Sequence, residues 1–572
     1  MEIDIKTRNR SFLANNLAIT DWNSIKYYFE DLINRPLHSK EDFEKWLYDR
    51  SELEAVMEED LGWRYIRMSC DTTNQEYKKS YELYIENIEP HTTSAYHLLN
   101  KKLIASPFVA NFENDSAYSI YFRGIKKQID LFREENIPLQ TEISIESQKY
   151  GAIAGSMTVE LNGKELTLQQ AAKFLKDDNR NLREETYLKI TKRRIKEKDN
   201  LNTLYTSLIH KRTQLAKNAG FSNFRDYMFQ SLGRFDYAIA DCFNFHQSIE
   251  SEITPILDVF DLKRKTLLKL EELKPWDMDV DLNGSAPLKP FETTDELIEK
   301  TIKCFNYVYP PFAENLSEMK HLGHLDLESR KGKAPGGYNY PLYECGIPFI
   351  FMNAVGTLTD LVTMVHEGGH AVHSFLSRHL PITEFKSVPS EVAELASMGM
   401  ELISMEHWHV FFNDINDLKR AKREQLEKVL RTLPWVATID KFQHWIYENP
   451  NHSLEERQQS WTQIMNQFSS QIINWSGVEE AFENTWQKQL HLFEVPFYYI
   501  EYGMAQLGAI ALWKNYKENP TKTLQNYINC LQLGYTRSIP QLYQAAGIEF
   551  NFSKEYVKGL ADFVKAELKK LD

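Results

Sequence analysis

The stretch Thr357-Leu358-Thr359-Asp360-Leu361-Val362-Thr363-Met364-Val365-His366-Glu367-Gly368-Gly369-His370-Ala371-Val372-His373 decides how this chain is read. An H-E-x-x-H run on a helix sets two imidazoles one turn apart with a carboxylate between them, a geometry that binds zinc and positions a base. The helical context is written in the neighbouring residues. Thr357 and Asp360 make a T-x-x-D start signal, and Leu358, Val362, Val365, Gly369, Val372 and Leu376 recur at three- and four-residue steps until Pro381. His366, His370 and His373 form a second stripe beside the apolar one. Two adjacent glycines inside a helix cost about 1 kcal/mol each relative to alanine, which predicts the close approach of another backbone. Three histidines merely hydrogen-bonded inside a helical core would leave those glycines without a reason.

A catalytic zinc usually takes three protein ligands and keeps a fourth position for water, so one more ligand is required. The metzincin pattern is excluded, because His373 and Leu376 stand where it needs glycine and histidine. Pro389-Ser390-Glu391-Val392-Ala393-Glu394-Leu395-Ala396-Ser397-Met398-Gly399-Met400-Glu401 predicts a second helix whose apolar face runs through Val392, Leu395, Gly399 and Leu402. Glu391, Glu394 and Glu401 line the adjoining edge, where one carboxylate can meet the metal and another a ligand imidazole. Spacing alone leaves both Glu394 and Glu391 open as the ligand.

These residues resemble the thimet oligopeptidase and oligoendopeptidase F family of zinc metallopeptidases, and within it the Pz-peptidase-like bacterial enzymes. Members carry H-E-x-G-H followed by E-x-x-S-x-x-x-E, which Glu394, Ser397 and Glu401 match. The resemblance continues through Gly336-Gly337-Tyr338, Pro348 to Asn353, and Pro496-Phe497-Tyr498-Tyr499 with Tyr502. It reaches Leu533, Gly534, Ser538, Pro540, Leu542 and Gly547, with Thr536 where a serine is commoner. It implies Glu394 as the third ligand of one Zn2+ per chain, and His491, Tyr498, Tyr499 and Tyr502 as residues lining the site and steadying the intermediate. It also implies a mainly α, zincin-type metallopeptidase with many helices, a small β-sheet and a deep internal channel. Such a channel admits short flexible peptides and excludes folded proteins.

Zinc lowers the pKa of a water it binds from about 15.7 to roughly 7, and a carboxylate at the next helical position, Glu367, can take that proton and pass it to the departing amine. The developing oxyanion needs donors. Tyr498 and Tyr502, one helical turn apart with Tyr499 adjacent, are the best source. Pro348 to Asn353 reads as a short apolar strand whose edge can hold an extended peptide over the metal. With the resemblance, Gly336, Gly337, Phe349, Phe351 and Asn353 are the expected substrate-binding residues. Gly332, Pro335, Gly336 and Gly337 predict a flexible loop able to close over substrate.

No apolar run among the 572 residues is long enough to span a bilayer, and a net charge of −14 argues against a general field for nucleic acid. The start, Met1 to Lys6, lacks the order of a secretory signal. Five scattered cysteines without a C-x-x-C pair fit a reducing cytoplasm and predict neither a disulfide framework nor a second metal site. Asp279-x-Asp281-x-Asn283-Gly284 imitates half an EF-hand loop, but Pro290 stands where the bidentate glutamate belongs, so a polar turn is expected. Lys192-Arg193-Arg194, interleaved with glutamates, predicts a solvated mixed-charge helix. Asn162-Gly163 predicts a hairpin between Met157–Leu161 and Lys164–Leu166, with Thr167 and Gln170 capping the next helix.

The expected division is an N-terminal helical region, residues 1–200, and a catalytic region, residues 201–572. The leading function is a cytoplasmic zinc endopeptidase with short peptides as substrates and neither nucleic acid nor membrane as partner; oligomeric state is left open. A peptide-capturing protein with structural zinc, and a zinc hydrolase of non-peptide amides, are the alternatives.

Overall fold

The computed structural model describes residues 9–282 and 284–571. Met1 to Lys6 and Asn283 of the EF-hand-like turn lie outside the described residues. The described residues are mainly helical with two small sheets, as expected of a mainly α chain. Among the described residues no helix is long and apolar enough to cross a membrane.

The hairpin forms as β1 (Thr158–Leu161) and β2 (Lys164–Thr167), antiparallel with Leu161 opposite Lys164. Asn162 and Gly163 take φ of 52° and 72°, the left-handed pair that a two-residue turn matched to strand twist requires. Thr167 and Gln170 then close a capping box.

The second sheet positions the site. It contains β3 (Leu325–Glu328), β4 (Tyr338–Tyr340) and β5 (Phe349–Ala354), in the order β3-β5-β4. β5 runs parallel to β3 and antiparallel to β4, with Tyr338 opposite Phe351. The expectation that the Pro348–Asn353 strand offers an edge to a peptide is therefore corrected. Both edges of β5 are taken, and its unbroken Phe-Ile-Phe-Met run marks a strand buried on both faces.

After β5 comes the HEGGH helix, Leu358–Ser377. Thr357 and Asp360 form a full capping box at its start, a device worth about 1 kcal/mol. The glutamate helix, Ser390–Ser404, has no side-chain cap and is buried almost all round, so its stability comes from packing. It lies between the HEGGH helix and the tyrosine helix, Ile500–Glu518.

Two large apolar clusters separate along the chain. One, built from Leu13 to Ile125, also takes in Ile382 and Phe385 from the connector joining the HEGGH and glutamate helices. Ser51 Oγ accepts from the Thr383 N–H at 2.7 Å, and the Thr383 hydroxyl donates back to Ser51 O at 2.9 Å. The other cluster holds the second sheet and the HEGGH, glutamate and tyrosine helices. The basic stretch lies in mixed pairs, Arg193 with Glu197 and Lys198 with Glu480, each at 2.8 Å. Asp281 pairs with Arg420 at 2.8 Å.

Candidate active site

The two glycines of the motif let neighbours approach where a side chain would not fit. A Cβ on Gly369 would lie 2.7 Å from Ser397 Cα and 2.8 Å from Ala396 O, so the backbone of the glutamate helix passes against it. Gly368 faces the Phe305 ring instead, 2.8 Å from its tip. This contact brings Glu394 under the histidines. Its Oε2 lies 3.3 Å from His366 Nε2 and 3.7 Å from His370 Nε2. One donor atom from each of His366, His370 and Glu394 falls within 4.8 Å of the other two.

The surrounding bonds aim these donors. Glu401 Oε1 sits 2.7 Å from His366 Nδ1, leaving Nε2 for the centre, and Gln425 Nε2 donates to Glu401 Oε2 at 2.7 Å. Glu394 Oε1 accepts from the Tyr498 hydroxyl at 2.9 Å and Oε2 from Ser397 Oγ at 3.0 Å. Glu391 turns away, accepting from Tyr237 OH at 2.6 Å. His373 is also outside the set, buried with Nε2 unpartnered.

The electrostatics follow from burial beside charge. Burial pushes the Glu367 carboxyl up to about 7; the positive charge of His366 opposes this and Glu394 adds to it. Burial alone would also raise Glu394, but its hydrogen bond with His366 and the charges of His370 and His366 hold it at about 2. Burial strips protons from His370, pushed down to about 4, and from His491, also to about 4. His366 goes the other way, because its bonds to Glu394 and Glu401 outweigh burial. The set thus concentrates negative potential around the imidazole nitrogens, where a cation would sit. Two imidazole nitrogens and one carboxylate oxygen are a donor set suited to zinc, so the residues fit the metal the motif implies. His366 and His370 keep 18% and 19% of their side chains exposed, which leaves the centre reachable.

Residues 173–562 match Peptidase family M3 and residues 12–132 match the Peptidase M3 N-terminal domain. The chain belongs to peptidase family M3. It is a metalloendopeptidase by that membership. An oligoendopeptidase F homolog of Borreliella burgdorferi is 23% identical over 95% of this chain and 90% of its own length. Oligopeptidase PepF of Bacillus subtilis is 22% identical over 72% of this chain and 60% of its own. Among solved structures, PZ peptidase A with an inhibitor superposes with a TM-score of 0.91 at 25% identity, covering 96% of this chain and 97% of that one.

The structure of this M3 peptidase separates the remaining expected residues. Tyr498 precedes the tyrosine helix and does not lie on its first turn, because Phe497 takes a left-handed φ of 67°. That turn swings the Tyr498 hydroxyl to Glu394, while the Tyr499 ring packs edge-on 4.9 Å from the His491 ring. Tyr502 OH reaches His491 Nε2 at 3.4 Å, and Gln489 Nε2 holds the other ring nitrogen at 2.6 Å. Phe349 and Phe351 are core residues, the latter stacked 4.7 Å from the Tyr338 ring, and are not substrate contacts.

Asn353 is likewise spent internally, donating to Ala334 O at 2.8 Å and Gly336 O at 2.9 Å. The loop expected to be free is tied down at several points. The Thr72 N–H donates to Gly332 O, the Ala334 N–H to Ser69 O, and the buried Lys333 ammonium to Asp326 and Glu328 O. Gly337 stays at the site, its would-be Cβ 3.9 Å from Glu367 Oε1.

Sequence reasoning missed Asn339, whose amide approaches Glu367 O at 3.5 Å, and Arg234, which clamps Phe497 O and Glu501 Oε1. The i, i+2 alternation of β4 held the signal for Asn339; Arg234 had none.

Proposed function

We propose that this M3 peptidase is a zinc-dependent endopeptidase that hydrolyses internal bonds of short unstructured oligopeptides, with His366, His370 and Glu394 holding the zinc and Glu367 acting as general base. The observation that carries this is the convergence of three ligand-type donors within 4.8 Å, with a buried carboxylate at the adjoining helical position. A zinc ion held there supplies Lewis-acid polarisation of the scissile carbonyl and acidifies water at the site.

The chain's own groups supply the rest. Glu367, its pKa raised by burial, takes the proton of the attacking water and delivers it to the departing amine. Tyr498 is committed to Glu394 and orients it. Tyr502, with only the long contact to His491, has a hydroxyl to spare for the developing oxyanion, and His491 holds that hydroxyl in place. The free edge of β4 replaces β5 as the strand that an extended substrate joins, since Gly337 and Asn339 border Glu367. The N-terminal helical layer closes the far side, where Tyr65 meets the rings of Tyr338 at 5.4 Å and Tyr340 at 6.0 Å.

Peptides of graded length incubated with zinc-loaded protein and read by mass spectrometry test the reading. Internal cleavage that stops in Glu367→Gln is expected. An uncleaved mixture, or cleavage that survives in the variant, would overturn it.

A further inference from the structure

A second group of ligand-type side chains converges in the large core, away from the HEGGH helix. Cys242 and His246 stand four residues apart on the helix Ile239–Glu252, and Asp440 and His444 four apart on the helix Ile415–Glu448. Each pair shares a helical face, and the two helices pack together. Cys242 Sγ, a carboxylate oxygen of Asp440 and a ring nitrogen of His444 lie within 4.8 Å of one another. His246 Nε2 is 2.8 Å and His444 Nε2 3.2 Å from Asp440 Oδ2. Two imidazole nitrogens facing one carboxylate oxygen is also the arrangement around Glu394.

Burial sets this cluster apart from an ordinary polar contact. Cys242 and Asp440 are 0% exposed, His444 2% and His246 3%. Nδ1 of His246, Oδ1 of Asp440 and Nδ1 of His444 are buried without a hydrogen-bond partner among the described residues. Unpaired polar atoms are costly in such a place and call for a ligand. The walls are aromatic, with Phe243 4.9 Å and Phe497 5.5 Å from the His444 ring. Charge must therefore balance locally. One thiolate, one carboxylate and one neutral imidazole around a dication sum to zero, whereas a lone Asp–His hydrogen bond leaves the thiol and the second imidazole without a role.

We propose that Cys242, Asp440 and His444 hold a second zinc ion, distinct from the one assigned to His366, His370 and Glu394, with His246 orienting the Asp440 carboxylate. The donors have no exposed face, which suits a structural role, and a thiolate disfavours magnesium and calcium. Binding releases the Cys242 thiol proton to solvent. The ion braces the segment that reaches the catalytic centre. Gln443 Oε1 accepts from the Phe497 N–H at 2.6 Å beside His444, and Phe497 leads directly into Tyr498. The signal in the sequence is C-x-x-x-H with D-x-x-x-H on separate helices, which a search for C-x-x-C passes over.

The test uses full-length protein expressed with zinc or cobalt in the medium and purified without chelator. Elemental analysis is expected to give two zinc per chain, falling to one in a His366→Ala, His370→Ala double variant. The cobalt form is expected to show a thiolate-to-cobalt charge-transfer band that survives in that double variant and vanishes in Cys242→Ala. The first site contains no sulfur, so the band reports the second site alone. One zinc per chain in wild type that is lost in the double variant, with no thiolate band, would overturn the proposal. So would a band indifferent to Cys242. Should Cys242→Ala fail to fold, the double variant still decides.

Discussion

Gly369→Ala tests the contact on which the catalytic centre depends. The added Cβ would lie 2.7 Å from Ser397 Cα, 2.8 Å from Ala396 O and 2.9 Å from Met400 Cβ, where ordinary contact begins near 3.4 Å. Backbone atoms cannot rotate aside, so the two helices must part by about 0.7 Å, the difference between 3.4 and 2.7 Å. Ala396 and Ser397 are two and three residues from Glu394, and the carboxylate moves with them. Overpacking of this kind costs about 1–3 kcal/mol, and alanine's helix propensity returns about 1 kcal/mol, so net destabilisation is modest. The metal set is less forgiving, since metal–ligand distances tolerate only about ±0.2 Å. Zinc affinity is expected to fall by roughly ten- to a hundredfold, the range seen when ligand orientation is disturbed. Gly368→Ala is the comparison, because its Cβ meets the Phe305 side chain and not the backbone of the glutamate helix. Competition with a chromophoric chelator measures both. Wild-type zinc affinity in Gly369→Ala, or equal losses in the two variants, would refute the reasoning.

Glu367→Gln should retain zinc by elemental analysis while turnover drops by about 10²–10⁴, the usual worth of a positioned base. Tyr502→Phe should lower kcat by roughly 10²–10³ with KM little changed, and Tyr499→Phe should leave both near wild type in the same steady-state assay. Glu401→Ala frees His366 Nδ1 and should weaken zinc binding about 10–100-fold, while Glu391→Gln, whose carboxylate serves Tyr237, should not change the chelator titration. Burial would raise the pKa of Asp326, but hydrogen bonds from Arg330 and Lys333 outweigh it and hold the carboxyl at about 2. A pKa below the unfolded value stabilises the fold above about pH 4, and that contribution fades as pH falls toward 2. Asp326→Asn should therefore be less stable than wild type at neutral pH, and denaturant melts should show the gap closing below pH 4.

The HEGGH helix was legible because its cap, its period and its glycines all point to one local structure. The glycine pair even predicted the second backbone that Ala396 and Ser397 supply, although Gly368 serves an aromatic ring instead. Glu394 and Glu391 share a helical edge, and only the rotation of that helix in the packed core decides between them. Sequence period is blind to that rotation. Tyr498 left the helical register because Phe497 turns left-handed, a conformation bulky residues rarely adopt and which Arg234 helps hold from a distant position. The misplacement of β5 was avoidable. Four consecutive apolar residues signal a strand covered on both faces, whereas the short Tyr-Asn-Tyr of β4, followed directly by Pro341, reads as an edge.

The connector carrying Ile382 and Phe385 lies inside the N-terminal cluster and is stitched to Ser51, while Phe385 O also accepts from the Tyr535 N–H. Because that connector joins the two helices that carry the proposed metal ligands, the catalytic half is not expected to be a portable module. Trimmed of its first 130 or so residues, it would lose the clamp that sets the relative pose of those helices. The N-terminal layer and the catalytic half are therefore expected to be inherited together.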